Sequence, residues 1–332
     1  MKKPSALVKY LNLHVIGQDS AKKTLAVAVY THFRKLERSR QEVVRFGKSN
    51  VLLIGPTGTG KTLMCETLSR ALEVPFVTAE ATSIAQSRFV NDEIEAIMQR
   101  LVERAGGDIA KAQNGIVFID EIDKLKASEG QTRSNSGESV QHALLKIMEG
   151  GIVKLAKGEY IDTTGILFIC GGAFVGLEKI TSQSQTYGFI STSKDDNQNV
   201  LGRLNARVKP TDLIKFGLIP EFTGRLPVTA RFQDLSKEML VRIMTEPANS
   251  LYRQYRDIFK GEGVELMVEP AVFEQIADLA VEYKTGARSL RGLFEELITP
   301  VLYVVPDDPR IEKVVLSSLF NEPKVVRRER TG

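Results

Sequence analysis

The segment Gly55-Pro56-Thr57-Gly58-Thr59-Gly60-Lys61-Thr62 sets three glycines before a lysine and a hydroxyl. Glycines let successive backbone N–H groups turn inward where a side chain would forbid it. Such a loop suits a chain of phosphates. Lys61 can reach the β- and γ-phosphates as a point charge, and the Thr62 hydroxyl can sit on a Mg²⁺ shared with the same oxygens. A second pair, Asp120-Glu121, closes an apolar run. Two acids at a strand end read, on their own, as solvated charge. Beside a phosphate loop they read as its hydrolytic half, with Asp120 holding Mg²⁺ through water and Glu121 polarising the attacking water as general base.

Both groups need elements to position them. Val51–Ile54 is short and apolar, as a buried parallel strand is, and Leu63 to Leu72 has helical spacing. Strand, loop and helix is the context that a phosphate loop requires, and the helix start, Leu63 included, adds its dipole. Gly115 to Ile119 is the strand that delivers Asp120. Further strands are predicted at Pro75–Ala79, Ile166–Ile169 and Leu226–Phe232. Ile94, Ile97, Met98, Leu101 and Val102 mark one helix face among the intervening helices. Strands alternating with helices predict an α/β fold with a parallel sheet covered on both faces.

After Gln233 to Leu235 the pattern turns helical, with apolar faces at Val272, Phe273, Ile276, Leu279, Ala280, Tyr283 and at Leu290, Leu293, Phe294, Leu297, Ile298, Val301. With candidate strands at Val264–Val268 and Val314–Leu316, this predicts two domains, residues 1–233 and a smaller α+β domain at 234–332.

Composition narrows the function classes. The chain has 332 residues, 42% of them hydrophobic, with 45 Lys plus Arg against 41 Asp plus Glu and a formal net charge of +4. That balance gives little electrostatic hold on nucleic acid, and no nucleic-acid or membrane partner is expected. The basic segment Val326 to Arg330 reads as a solvated tail. No apolar run is long enough to span a membrane and no signal peptide is evident, so the cytoplasm is the expected location. Cys65 and Cys170 lack any paired Cys or His spacing and read as buried small hydrophobes.

Several motifs together resemble the ClpX family of AAA+ protein unfoldases. They are the phosphate loop, Ile119-Asp120-Glu121-Ile122-Asp123-Lys124, Ile169-Cys170-Gly171-Gly172-Ala173-Phe174, Leu218 to Pro227 with its Gly224-Arg225-Leu226-Pro227, and Lys284 to Arg291 with its Gly286-Ala287-Arg288. The resemblance covers about Val15 to Leu316. It implies an AAA+ P-loop NTPase large domain followed by a small, mainly helical domain, assembled as a homohexamer with ATP and Mg²⁺ as cofactors. It implies that Val15 and Ile16 flank the base. It also assigns Arg225 as the arginine finger reaching the adjacent subunit's nucleotide and Arg288 as the sensor arginine acting within its own subunit. A planar, permanently charged fork suits both roles.

The departures from the family pattern bear on substrate. The family's N-terminal Cys₄ zinc domain is not expected in a chain with two cysteines. The pore motif Gly-Tyr-Val-Gly is matched by Arg88-Phe89-Val90-Asn91, which keeps the aromatic-aliphatic pair without either glycine. The family's basic entrance loop is reduced to a turn around Lys154 to Tyr160, and its peptidase-docking motif reads Tyr187-Gly188-Phe189. The expected function is an ATP-dependent unfoldase acting on unfolded or tagged proteins for a ClpP-like peptidase. The alternatives are a stand-alone remodelling ATPase, a regulatory subunit of a mixed ClpX ring, and a nucleic-acid motor on a related core.

Overall fold

The computed structural model describes residues 2–41, 47–126, 137–156, 158–185 and 208–328. Up to Phe232 the chain runs through α1 (Pro4–Asn12), α2 (Asp19–Gln41), β1 (Val51–Ile54), α3 (Lys61–Leu72), β2 (Phe76–Glu80), α4 (Ala81–Gln86), α5 (Val90–Arg104), α6 (Ile109–Ala112), β3 (Ile116–Asp120), α7 (Gly137–Glu149), β4 (Ile152–Lys154), β5 (Tyr160–Asp162), β6 (Leu167–Gly172), α8 (Leu177–Gln185), α9 (Pro210–Phe216), α10 (Pro220–Gly224) and β7 (Val228–Arg231). Five strands form one sheet in the order β2-β3-β6-β1-β7, and every pair in it is parallel. Residues of β1, β3 and β6 are buried almost without interruption, because central strands of a parallel sheet are covered on both faces. On one face Ile97, Met98 and Leu101 of α5 pack with Val117 and Ile119 of β3.

The register places the functional strand ends together. Ile54 of β1 pairs with Gly172 of β6, and Ile119 of β3 pairs with Cys170. The phosphate loop and the two acids therefore leave the same edge of the sheet, with β6 between them. The sequence marks this middle strand only at Ile166–Ile169; it continues to Gly172 because the glycines stay in register with β1 while offering no apolar side chain as a signal.

Beyond Phe232 come α11 (Lys237–Thr245), α12 (Leu251–Gly261), β8 (Glu265–Val268), α13 (Pro270–Glu282), α14 (Arg288–Val304), β9 (Ile311–Leu316) and β10 (Lys324–Arg327). Phe259, Ile276, Phe294 and Val314 are core residues here. Tyr283 lies outside that core at 58% exposure, because α13 ends at the residue before it.

The sheet order is β10-β9-β8, with β8 parallel and β10 antiparallel to β9. The reading of Val326 onward as a solvated tail is corrected at Val326 and Arg327, which belong to β10; the Arg327 Nε donates to Asp308 Oδ2 at 2.9 Å. Arg310 bonds both Asp308 oxygens, and together with Arg327 it holds the Asp308 carboxyl well below its usual range. By contacts the chain divides into two units, residues 1–8, 19–56 and 61–232 in one, and residues 9–18, 57–60 and 233–332 in the other.

Candidate nucleotide-hydrolysing site

Steric limits explain the glycines of the phosphate loop. A Cβ at Gly55 would lie 2.5 Å from the Phe232 carbonyl oxygen, and one at Gly58 would lie 2.6 Å from that of Thr285. Gly60 has open space around it but a φ of +92, a region that L side chains rarely adopt. Lys61 opens α3 and is buried, its Nζ donating to the carbonyls of Gly55 at 2.6 Å and Pro56 at 2.9 Å. The lysine thus folds back over its own loop. Thr59 is buried as well, whereas Thr57, Thr62 and Leu63 are exposed at the loop and in the first turn of α3.

Across β6, the chain reverses sharply after Asp120. Glu121 has φ 58, a left-handed conformation uncommon for a residue with a side chain. Its N–H donates to Asp120 Oδ1 at 2.8 Å, and its own Oε2 accepts from the Thr82 hydroxyl at 3.1 Å. Thr82 lies in the first turn of α4 and has no motif of its own to mark it in the sequence.

The β6 glycines complete this corner. A Cβ at Gly171 would lie 2.6 Å from the Phe118 ring and 3.2 Å from Asp120 Oδ1; one at Gly172 would lie 2.6 Å from Asp123 Oδ1. Buried Asp123 also accepts from the Phe174 N–H at 3.2 Å, which ties the end of β6 to the turn after β3. The space beside Asp120 is kept by the lack of a side chain at Gly171. The Asp120 carboxylate and the hydroxyl of exposed Thr62 are oxygen donors of the kind that Mg²⁺ takes. Among the described residues no group of three or more His, Cys, Asp or Glu forms a ready-made metal cluster. Cys65 and Cys170 are fully buried, and burial pushes both thiols up, Cys170 to about 12.

Arg225 lies elsewhere. Its carbonyl accepts from the Nδ2 of Asn50, the residue before β1, so it sits at the opposite end of β1 from the phosphate loop. Its side chain pairs with Glu149 at 2.6 Å. Within the second unit, Val15 and Ile16 are buried, and the side chain of Gln18 both donates to the Gln233 carbonyl at 2.8 Å and accepts from the Gln233 N–H at 2.9 Å. In the same unit the Gly58 carbonyl accepts from the Ala287 N–H at 3.2 Å, and exposed Arg288 follows as the first residue of α14.

Arg88 and Phe89 form the turn between α4 and α5. Phe89 is 58% exposed, and the Arg88 guanidinium lies 5.4 Å from its ring centroid. The Phe89 carbonyl accepts from the Ser87 hydroxyl and the Asp92 N–H, which fixes the turn in the absence of glycines. Val90 is not part of the exposed pair: as the first residue of α5 it packs against the core, while Asn91 is exposed. Tyr187-Gly188-Phe189 falls outside the described residues.

Residues 47–229 match the family described as "AAA domain (Cdc48 subfamily)", and residues 235–314 match "C-terminal, D2-small domain, of ClpB protein". Named ATP-dependent Clp protease ATP-binding subunit ClpX 3, a Methylococcus capsulatus protein is 42% identical over 95% of this chain and 79% of its own length. The ATP-dependent Clp protease ATP-binding subunit ClpX of Azotobacter vinelandii is 42% identical over 97% and 78%, and that of Borrelia duttonii 43% over 95% and 77%. The chain belongs to the ClpX family.

Membership makes it an AAA ATPase, and the ends of β1 and β3, on either side of β6, carry Gly55 and the two acids. Sequence reasoning named Lys61, Thr62, Asp120 and Glu121 but missed Thr82, Asn50 and Glu149. The first is silent because a threonine two residues past a strand is ordinary; the others act across 76 or more residues of sequence.

Proposed function

We propose that this chain is an ATP-driven protein unfoldase that assembles as a hexamer, threads polypeptide through its centre and passes it to a ClpP-like peptidase. The observation carrying the ring is the position of Arg225 at the far end of β1 from Lys61. Four strand residues separate those ends by ~13 Å. A guanidinium there does not serve its own phosphate loop, but a ring brings it to a neighbour's. ATP is the substrate, held by the loop from Gly55 to Leu63 with Lys61 on the phosphates, Val15 and Ile16 against the base, and Arg288 from the same subunit. Thr62 and Asp120 would hold Mg²⁺, which when bound draws charge from the phosphate oxygens. Glu121 polarises the attacking water, with Thr82 holding its other oxygen.

One short helix links this chemistry to the grip. Thr82 stands at the start of α4 and Phe89 just beyond its end, so a shift at Glu121 reaches the exposed aromatic through a single turn-and-a-half of helix. Phe89 supplies contact with polypeptide, Arg88 adds a cation, and Val90 supports the turn from the core. Peptidase docking through Tyr187-Gly188-Phe189 rests on the resemblance, and repeated weak contacts around a ring would sum by avidity. No helix among the described residues is long and apolar enough to cross a membrane; the cytoplasm is the proposed location.

A second reading is favoured by the Arg88 to Asn91 turn, whose glycines are replaced and whose aromatic is capped by its own neighbour. It is a motor that remodels complexes alone or within a mixed ring. The test is ATP-dependent degradation of an unstructured tagged protein with and without a ClpP-type peptidase, beside ATPase rates with unfolded protein and with single-stranded DNA. Degradation that needs both ATP and peptidase, and is lost in Phe89→Ala while basal ATPase remains, supports the unfoldase. Substrate release without degradation supports remodelling. Stimulation by DNA and not by protein overturns both.

A further inference from the structure

Arg225 is held by more than its own rotamer preference. Its Nε donates to Glu149 Oε1 at 2.8 Å, and its Nη2 lies 2.6 Å from the same oxygen. Half-exposed ion pairs contribute little to stability, since water screens them and two long side chains must be ordered. Here the ordering is supplied from below. Glu149 ends α7, and the carbonyls of that last turn are capped from elsewhere in the fold: Met148 accepts from Asn50 Nδ2 at 3.1 Å and Ile147 from the Thr163 hydroxyl at 2.8 Å. Asn50 also donates to the Arg225 carbonyl at 3.2 Å, and its Oδ1 accepts from the Phe168 N–H at 3.4 Å. Asn50 is completely buried. The backbones bearing the two charges are therefore clamped to one amide.

A guanidinium has five N–H groups in one plane. Glu149 takes the Nε and Nη2 side, and among the described residues nothing bonds Nη1. We infer that Glu149 is a positioning residue for Arg225, fixing the plane of the guanidinium so that its Nη1 edge faces outward for phosphate oxygens. The inference rests on Arg225 acting at a neighbouring subunit's nucleotide. A free arginine spreads over many rotamers that must be surrendered on docking, whereas one already paired along its Nε side surrenders fewer. The gain falls on turnover, because the held edge matters where charge develops, and not on how a subunit binds its own ATP.

The experiment compares Glu149→Gln, Glu149→Ala, Arg225→Ala and the double variant Glu149→Ala/Arg225→Ala in the full chain. Hydrolysis is measured at saturating ATP, with KM, nucleotide affinity and thermal unfolding followed in parallel. Glu149→Ala is expected to lower kcat about tenfold with KM and unfolding midpoint unchanged. Glu149→Gln, which keeps a neutral acceptor, loses only a few-fold, and remains the informative variant if alanine impairs folding. The double variant is no slower than Arg225→Ala alone. Multiplying defects, or wild-type or faster turnover in Glu149→Ala beside an inactive Arg225→Ala, overturns the positioning role only. Full turnover in Arg225→Ala removes the finger reading itself, and the inference with it.

Discussion

The two ends of β1 build polar sites by different means. At its C-terminal end the phosphate loop is local: Gly55, Gly58, Gly60 and Lys61 lie within seven consecutive residues, and Lys61 bonds carbonyls five and six residues back. At its N-terminal end Lys48 and Asn50 reach Ile147, Met148, Thr163, Phe168 and Arg225, contacts separated by 98 to 175 residues. The first site is a demand on backbone conformation, which only certain residue types satisfy. The second is a demand on hydrogen-bond closure, which any donor meets if the fold delivers it. In the proposed function, chemistry concentrates at the first end and presentation at the second.

The largest effect that sharpens this contrast is at the local end. Lys61→Ala is expected to abolish measurable ATP binding, while Glu121→Gln keeps affinity and loses turnover by ~10²-fold or more, if, as proposed, one residue holds phosphate and the other activates water. Fluorescent-nucleotide titration beside steady-state ATPase separates them. Equal loss of affinity in both would break the division of labour. Glu121→Gln is not expected to move the thermal midpoint of the apo protein much.

The far end should behave in the opposite sense. Asn50→Ala leaves a buried carbonyl at Met148, a part-buried one at Arg225 and a buried N–H at Phe168 without their partner, and is expected to cost about 2–4 kcal/mol of stability. His32 belongs to the same buried polar group, its Nε2 donating to the Gly165 carbonyl at 3.0 Å. Burial brings its pKa down to about 4, with Lys48 and Lys35 adding to the shift. In the unfolded chain the imidazole takes a proton near 6.5. Stability is therefore whole above that value and is lost as pH falls from about 6.5 to about 4, by at most about 3 kcal/mol. Lys48, lowered to about 7 by burial, stays protonated in both states over most of that window and adds little slope. Urea titrations from pH 7 to pH 4 are expected to show a smaller decline for His32→Gln than for the wild type. Parallel declines would mean that His32 does not sense the fold in this way.

What was legible in the sequence follows the same division. The alternation of strands and helices, the phosphate loop and the acids ending β3 are written in short spans, because period, glycine placement and charge at a strand end are local signals. The strand order was not written there, nor was the continuation of β6 through Gly171 and Gly172, since both depend on pairing with β1 and β3. Phe89 and Val90 look alike in sequence and separate in the fold, because α5 begins at Val90 and turns it to the core. The turn at Lys154 to Tyr160 becomes a hairpin of β4 and β5 with Ile152 and Tyr160 exposed.

Thr82 tests whether the local end is as self-contained as it looks. Its hydroxyl donates to Glu121 across 39 residues of sequence, the one long-range side-chain bond recorded for Glu121 among the described residues. If Glu121 is aimed by its left-handed backbone alone, Thr82→Val removes nothing that matters. If the hydroxyl aims the carboxylate, the base samples other rotamers in the valine variant and kcat falls about tenfold, the size expected from losing one charge-assisted hydrogen bond. Thr82→Ser keeps the hydroxyl and is expected to restore most of the rate, which a packing role for the methyl group would not predict. Affinity for ATP stays at the wild-type value in both variants, because Lys61 and the loop are untouched. The same bond anchors the start of α4, so the valine variant is also expected to weaken the proposed coupling between hydrolysis and polypeptide movement by Phe89. That is measured as ATP consumed per substrate molecule unfolded. A lowered kcat with unchanged coupling would confine Thr82 to the catalytic corner and leave α4 without a role in transmission.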